Sequence, residues 1–271
     1  MSFTIDGKTY NKSDLSVLKK CNTNMLKTRP FPHLYINECL DPVIYNYLES
    51  HYPSNSTIAG EMPLENCRYQ LNNNNALKNK DVDPIWKMFV EYHTSKEFHK
   101  EVESIFGKER LKNFRNLKGK NYNKLGIGRR KHPVKLNKGG NKIVLDCQIG
   151  INSPTTMKNS VIGPHRDNGH EIYAGLLYLK HPEDVGAGGD LNLLKIKKKY
   201  KTLEQFENIV GKKRSRIFNA IDDDLAVFST IKYEKNTFVL FLNDLNALHE
   251  VTPREVNPIS RRLVNIIGEY Y

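Results

Sequence analysis

Hydrophobic and polar positions divide the chain into two textures. Residues 1–142 carry mixed patterns in which helical spacing is prominent. "FTIDGKTY" alternates around Asp6-Gly7 and predicts a hairpin. "PFPHLYINECLDPVIYNYLESHYP" predicts a short strand, then a helix capped by Asp41 with Pro42 at its first position. A second Asp-Pro start, Asp83-Pro84, opens another helix. Ser95 breaks it and caps a third, in which Phe98, Val102, Ile105 and Phe106 recur at helical spacing. "LNNNNALKNK" is too polar to pack and predicts a mobile loop, and the glycine-dotted run from Gly107 to Lys142 reads mainly as exposed loop. From Ile143 onward the runs are short, branched and aromatic: "KIVLDCQIGIN", "IYAGLLYLK", "DLNLLKI", "LAVFST", "NTFVLFLN" and "RRLVNIIGEYY". Turn signals such as "VGAGGD" separate them, the pattern of a β-sandwich or barrel. An insertion near 197–216 has room for a helix. The expectation is one fold unit over 1–271, with a helical, hairpin and basic-loop support (1–142) and a β core (143–271).

Composition changes this picture in one respect. The chain of 271 residues is 38% hydrophobic and 27% charged, ordinary for a globular protein, but its formal net charge is +12. Between Gly107 and Lys142, Glu109 is the only carboxylate. Further basic clusters lie at Lys195–Lys201 and Gly211–Arg216. Such a field suits anionic partners, although aromatic residues are not interleaved with it in the way a nucleic-acid groove would need. Scattered Cys21, Cys39, Cys67 and Cys147 fit neither a disulfide framework nor a structural zinc site. No apolar run reaches transmembrane length and the first residues lack a signal-peptide core, so no membrane association and a cytoplasmic location are expected.

Candidate chemistry centres on "GPHRDNGH". In an extended chain, side chains at i and i+2 share a face, so His165 and Asp167 can stand side by side. A third ligand must come from elsewhere. His249, following the apolar run "NTFVLFLN", is the best candidate. Two histidines and one carboxylate on one face of a metal, with open positions opposite, form the donor set of non-haem Fe(II) oxygenases. His170 fits less well at i+3 from Asp167, and His181 before Pro182 reads as a surface turn.

Taken in order, "PHRDN", "YAGLLYL", "GGDLNLL", "NTFVLFLND", "HEVTP" and "RRLVNIIGEY" resemble the 2-oxoglutarate/Fe(II)-dependent oxygenase superfamily in its prolyl-4-hydroxylase-like branch, over about Gln148 to Tyr271. The resemblance implies a mainly β fold with supporting N-terminal helices around a double-stranded β-helix, the jelly-roll, cupin-like core. It also implies Fe(II), 2-oxoglutarate and O2, with ascorbate as an accessory reductant. The far carboxylate of 2-oxoglutarate then needs a buried cation, for which arginine's planar fork is best suited. Placing Asn265 on the inner face selects Arg261 over Arg262. Tyr178 matches the family position of its hydroxyl partner, and Asn152 with Gln148 would hydrogen-bond the chelating end. Asp167 favours hydroxylation, since related halogenases replace this carboxylate with a small residue.

Alternatives are an AlkB-like nucleic-acid demethylase and a cupin-like metal-binding protein without 2-oxoglutarate chemistry. The AlkB-like branch carries two arginines six apart near its C-terminus, whereas Arg254 and Arg261 are seven apart here. The expected primary substrate is a peptide, amino acid or other small molecule, with the basic loop from Gly128 to Lys142 favouring an anionic one.

Overall fold

The computed structural model describes residues 2–61, 65–114, 117–132, 141–197, 218–219 and 225–271. Strands β1 (Ser2–Ile5) and β2 (Lys8–Asn11) form the hairpin, with Asp6 and Gly7 both at positive φ in its two-residue turn. Strand β3 (His33–Ile36) leads to α1 (Pro42–Ser50), where the Asp41 side chain accepts from the Val43 amide. After α2 (Asn55–Ala59) and β4 (Arg68–Leu71) come α3 (Asn73–Lys78), α4 (Pro84–His93), α5 (Lys96–Phe106) and α6 (Lys108–Lys112). Asp83 caps α4 and Ser95 caps α5, as their positions predict. Strand β5 (Gly126–Arg129) follows.

Two expectations are corrected here. The asparagine-rich stretch is the helix α3 rather than a loop. Asn72 caps it by accepting from the Asn75 amide, and buried Asn73 donates to the Asp146 carboxylate, which ties the helix to the strand that carries Asp146. The run from Gly107 to Lys142 contains α6 and β5, the latter pairing parallel to the next strand. Buried Leu111, Leu117 and Leu125 anchor it despite its charge. Residues 133–140 of the basic loop and nearly all of the predicted insertion at 197–216 lie outside the described residues.

The β core follows: β6 (Lys142–Asn152), β7 (His165–Arg166), β8 (Glu171–Tyr178), β9 (Leu191–Ile196), β10 (Phe218–Asn219), β11 (Leu225–Ile231), β12 (Thr237–Leu242), β13 (His249–Val251) and β14 (Arg261–Tyr270). One sheet runs β3-β12-β8-β14-β6-β4 and the other β10-β7-β13-β9-β11. From β6 to β14 the chain repeatedly passes from one sheet to the other. That winding is a double-stranded β-helix, the jelly-roll core.

Alternation along the larger sheet produces two apolar layers. Outward-facing Cys147, Ile149, Ile151, Val264, Ile266, Phe238 and Leu240 pack with Trp86, Phe89, Val90, Phe98 and Val102 of the helices. Inward-facing Ala174, Tyr178, Val239, Phe241 and Leu263 meet Leu191, Leu193 and Ile231 of the smaller sheet. The helices thus seal one face of the sheet and leave the space between the sheets for a site. All four cysteines are free thiols. Among the described residues no helix is long and apolar enough to cross a membrane.

Candidate metal centre

His165 on β7 and His249 on β13 are direct cross-strand partners, which sets their imidazoles 4.4 Å apart between ring centroids. Asp167 lies just past the end of β7. Its Oδ1 is 3.5 Å from His165 Nε2 and its Oδ2 is 3.7 Å from His249 Nε2. One donor atom from each of the three lies within 4.8 Å of the others, and they form the one such cluster found among the described residues.

The histidines are held in a ligating tautomer by their own backbone. His165 Nδ1 lies 2.8 Å from the Gly163 carbonyl, and His249 Nδ1 lies 3.0 Å from that of Ala247. An Nδ1–H donated to a carbonyl leaves each Nε2 lone pair facing Asp167. Protonation states agree. Burial foremost drives the His249 imidazole down to about 4, against the pull of Asp167. Burial would raise the Asp167 carboxyl, but His249, then His165 and Arg68, outweigh it and hold the group at about 2. A neutral His249 imidazole and an ionised Asp167 carboxylate are therefore ready to ligate without further proton loss.

His170 and His181 take no part. His170 stacks on the Tyr271 ring at 4.7 Å, and His181 Nδ1 accepts from the Glu183 amide within a turn.

Strand alternation separates the two arginines of "ISRRLVNII". Arg261 points inward and is 1% exposed, whereas Arg262 points outward to Glu49 at 3.0 Å and the Tyr52 ring. The Arg261 guanidinium sits over the rings of Tyr178 at 4.9 Å and Tyr233 at 4.4 Å. One of its nitrogens, Nη2, donates to the Gly189 carbonyl at 2.9 Å. Gly188 makes that contact possible. At φ +84° it lies so close to the Pro253 carbonyl that an added Cβ would fall 1.9 Å from the oxygen.

Arg261 Nε and Nη1, the Tyr178 hydroxyl and both amide atoms of Asn152 are buried without a hydrogen-bond partner, and Arg261 makes no ion pair among the described residues. Asn152 is the cross-strand neighbour of Arg261, and Tyr178 faces Leu263, two residues further along the same face. Burial raises the Tyr178 phenol above its ordinary value, against Arg261, so it stays protonated and can donate. Leaving this many buried polar atoms unmatched costs about 1–3 kcal/mol each. A carboxylate ligand satisfies Arg261 and Tyr178 together, so the donor set fits the far end of 2-oxoglutarate.

Gln148 and Asn265 face each other across β6 and β14 and line a cavity of about 320 Å³ that also takes in His165, Asp167 and His249. Gln148 Nε2 donates to Asp146 at 2.8 Å.

Outside the basic loop, the sequence did not point to the cavity's other polar and charged residues: Arg68, Gln70, Glu171 and Glu269. Arg68 and Gln70 come from β4, whose Arg68 pairs with Asn152. Of the basic-loop residues, Arg130 reaches the cavity wall, where Asp146 and Glu269 hold it at 3.5 and 3.1 Å. Arg129 turns away, its Nε donating to Thr94. Burial, then Asp167 and Glu269, raises the Glu171 carboxyl well above its ordinary range. Arg254 is a structural arginine, donating to the carbonyls of Ile259 and Ser153.

No family model matches the chain, and no curated protein matches it. Solved structures are similar to it at low identity. A prolyl-4-hydroxylase from Pseudomonas putida is 10% identical with TM-score 0.46, covering 88% of this chain and 92% of that one. A prolyl 4-hydroxylase from Phytophthora capsici is 12% identical with TM-score 0.45, covering 96% of this chain and 64% of that one. An oxidoreductase of the 2OG-Fe(II) oxygenase family from Burkholderia pseudomallei is 11% identical with TM-score 0.40, covering 96% and 91%.

Proposed function

We propose that the protein is a non-haem Fe(II) and 2-oxoglutarate-dependent dioxygenase that hydroxylates an unactivated C–H bond of a small or peptidyl substrate. The observation that carries this reading is the coexistence of two complementary features between the sheets. One is a His165–Asp167–His249 triad with both Nε2 atoms free. The other is an orphaned Arg261–Tyr178 pair whose unmet donors suit a carboxylate. A cupin-like metal protein without 2-oxoglutarate would have no use for the second feature.

His165, Asp167 and His249 would hold the metal. The bound iron and cosubstrate supply an oxidising centre that converts 2-oxoglutarate to succinate and CO2 while inserting oxygen into the substrate. The chain's own residues position and shield. Gly163 and Ala247 carbonyls fix the imidazole tautomers. Arg261, steadied by the Gly189 carbonyl, and Tyr178 take the far carboxylate, while Asn152, with Gln148 and Asn265, hydrogen-bonds the chelating end. Phe241, 4.9 Å from the His249 ring, and Leu191 keep the wall beside the triad apolar and dry. Asp167 completes the charge of the ligand set. Against the AlkB-like reading, Arg254 is fully engaged with main-chain carbonyls and does not line the cavity.

The test is anaerobic addition of Fe(II) and 2-oxoglutarate, followed by exposure to oxygen. A visible metal-to-ligand charge-transfer band and succinate formation are expected, and His165→Ala and His249→Ala should each abolish the band. Iron binding with no response to 2-oxoglutarate would leave the cupin-like alternative.

A further inference from the structure

Arg68 and Glu171 stand apart from the other charged groups of the cavity. Arg130 is neutralised by Asp146 and Glu269, and Asp146 is further satisfied by Asn73, Gln148 and His132. Asp167 belongs to the triad. Arg68 and Glu171 also line the cavity, yet among the described residues neither side chain makes an ion pair or a hydrogen bond. Each nevertheless feels the other's charge, so they share one space without closing on each other.

Their placement follows from register. Arg68, Asn152 and Arg261 form a cross-strand row on β4, β6 and β14, so Arg68 is a second guanidinium on the face that carries Arg261, two strands away. Glu171 opens β8, four residues after Asp167, and lines the cavity together with the triad. Arg68 is exposed on the cavity wall, whereas Arg261 is almost fully buried. A guanidinium open to the cavity beside a carboxyl that pairs with no cation of the described residues is a receptor for a molecule carrying both charges, since an incoming ammonium favours the ionised carboxylate.

Resting on the oxygenase reading for what happens next, we infer that the primary substrate is a small zwitterion of the α-amino-acid class, its carboxylate on Arg68 and its ammonium on Glu171. The fork of Arg68 takes a carboxylate through two parallel N–H···O bonds, and the Glu171 carboxylate accepts from the ammonium. Gln70, on the same face as Arg68, offers a further amide to the carboxylate. The remaining side chain is then directed toward the metal ligands. A cavity of about 320 Å³ suits small molecules rather than a folded macromolecule.

The test is calorimetric titration of the full chain with a panel of free amino acids, each beside its N-acetyl and carboxamide derivatives, with and without Mn(II) and 2-oxoglutarate. At least one free amino acid should bind, and blocking either charged end should weaken it roughly tenfold or more. Arg68→Gln should weaken the free acid but not its carboxamide, and Glu171→Gln should discriminate the ammonium in the same way. The inference is overturned if no free amino acid binds, if the blocked derivatives bind equally well, or if Arg68→Gln removes 2-oxoglutarate binding while leaving amino-acid binding intact. Failure of the oxygenase reading has a different signature, since Mn(II) and 2-oxoglutarate would then not bind whatever the amino acids do.

Discussion

Arg261 and Arg262 show how much one step along a strand decides. Because β14 alternates, the first guanidinium is buried over Tyr178 and Tyr233 and the second pairs with Glu49 on the opposite face. Arg261→Leu should weaken 2-oxoglutarate binding about ten- to a hundredfold, the loss of a charge-assisted pair worth about 1.5–3 kcal/mol. Arg262→Leu should leave that affinity within about threefold and lower stability slightly, by roughly 1 kcal/mol or less, as for a part-exposed ion pair. Titration of both variants, monitored by tryptophan fluorescence, checks the contrast. That the two point to opposite faces was legible because the period of two is exact along a strand; which of them faces inward came with the family resemblance, which put Asn265 on the inner face. The triad was legible for a related reason, since His165 and Asp167 declare themselves by i, i+2 spacing. Arg68 was not legible. "RYQL" is too short and polar to announce a strand, and only its long-range pairing with β6 turns Arg68 and Gln70 inward.

At the scale of elements, the helices carry stability that the site draws on. Helix α4 presents Trp86, Phe89 and Val90 to the outer layer, and the Trp86 indole donates to the Leu48 carbonyl of α1. Near its end sits His93, fully buried. Its Nδ1 lies 2.8 Å from the Phe89 carbonyl and its Nε2 accepts from the Val17 amide at 3.3 Å. Both nitrogens are used only if the ring is neutral, and burial accordingly drives it down to about 3. The unfolded chain, with histidine near 6.5, then binds a proton that the folded chain refuses. Stability from this group is complete above pH ~6.5 and falls as pH drops toward ~3, by about 1.4 kcal/mol per pH unit within that window. Urea unfolding at a series of pH values should show this slope, and His93→Phe should flatten it by one proton while lowering stability at pH 7. An unchanged slope in the variant would show that other groups set it. Caps were the most legible features at this scale: Asp41, Asp83 and Ser95 all hold the amides their positions predict. Helix α3 was hidden because asparagine is a poor helix former. What fixes it is tertiary, the Asn73–Asp146 bond across to β6.

Over the whole molecule, the two textures of the chain become two layers with one division of labour. The helices cover one face of the larger sheet, and the space between the sheets holds the candidate metal centre. Six branched and aromatic runs correspond to six long strands, because apolar runs bounded by turns admit few other arrangements. The sheet order that unites His165 with His249 was not readable from those runs alone, since pairing between distant strands leaves no local signal. It came instead with the family resemblance. The net charge of +12 told least, because it does not extend to the cavity, where Arg68 and Arg130 are outnumbered by Asp146, Asp167, Glu171 and Glu269.

The central claim is that His165, Asp167 and His249 bind a single divalent ion through both Nε2 atoms and one carboxylate. Crystals grown with Mn(II) and 2-oxoglutarate, measured at the manganese absorption edge, test it most directly. The account predicts one strong anomalous peak per chain within bonding distance of all three side chains, with the cosubstrate's far carboxylate on Arg261. A peak elsewhere, or full metal occupancy without a ligand against Arg261 and Tyr178, would contradict it.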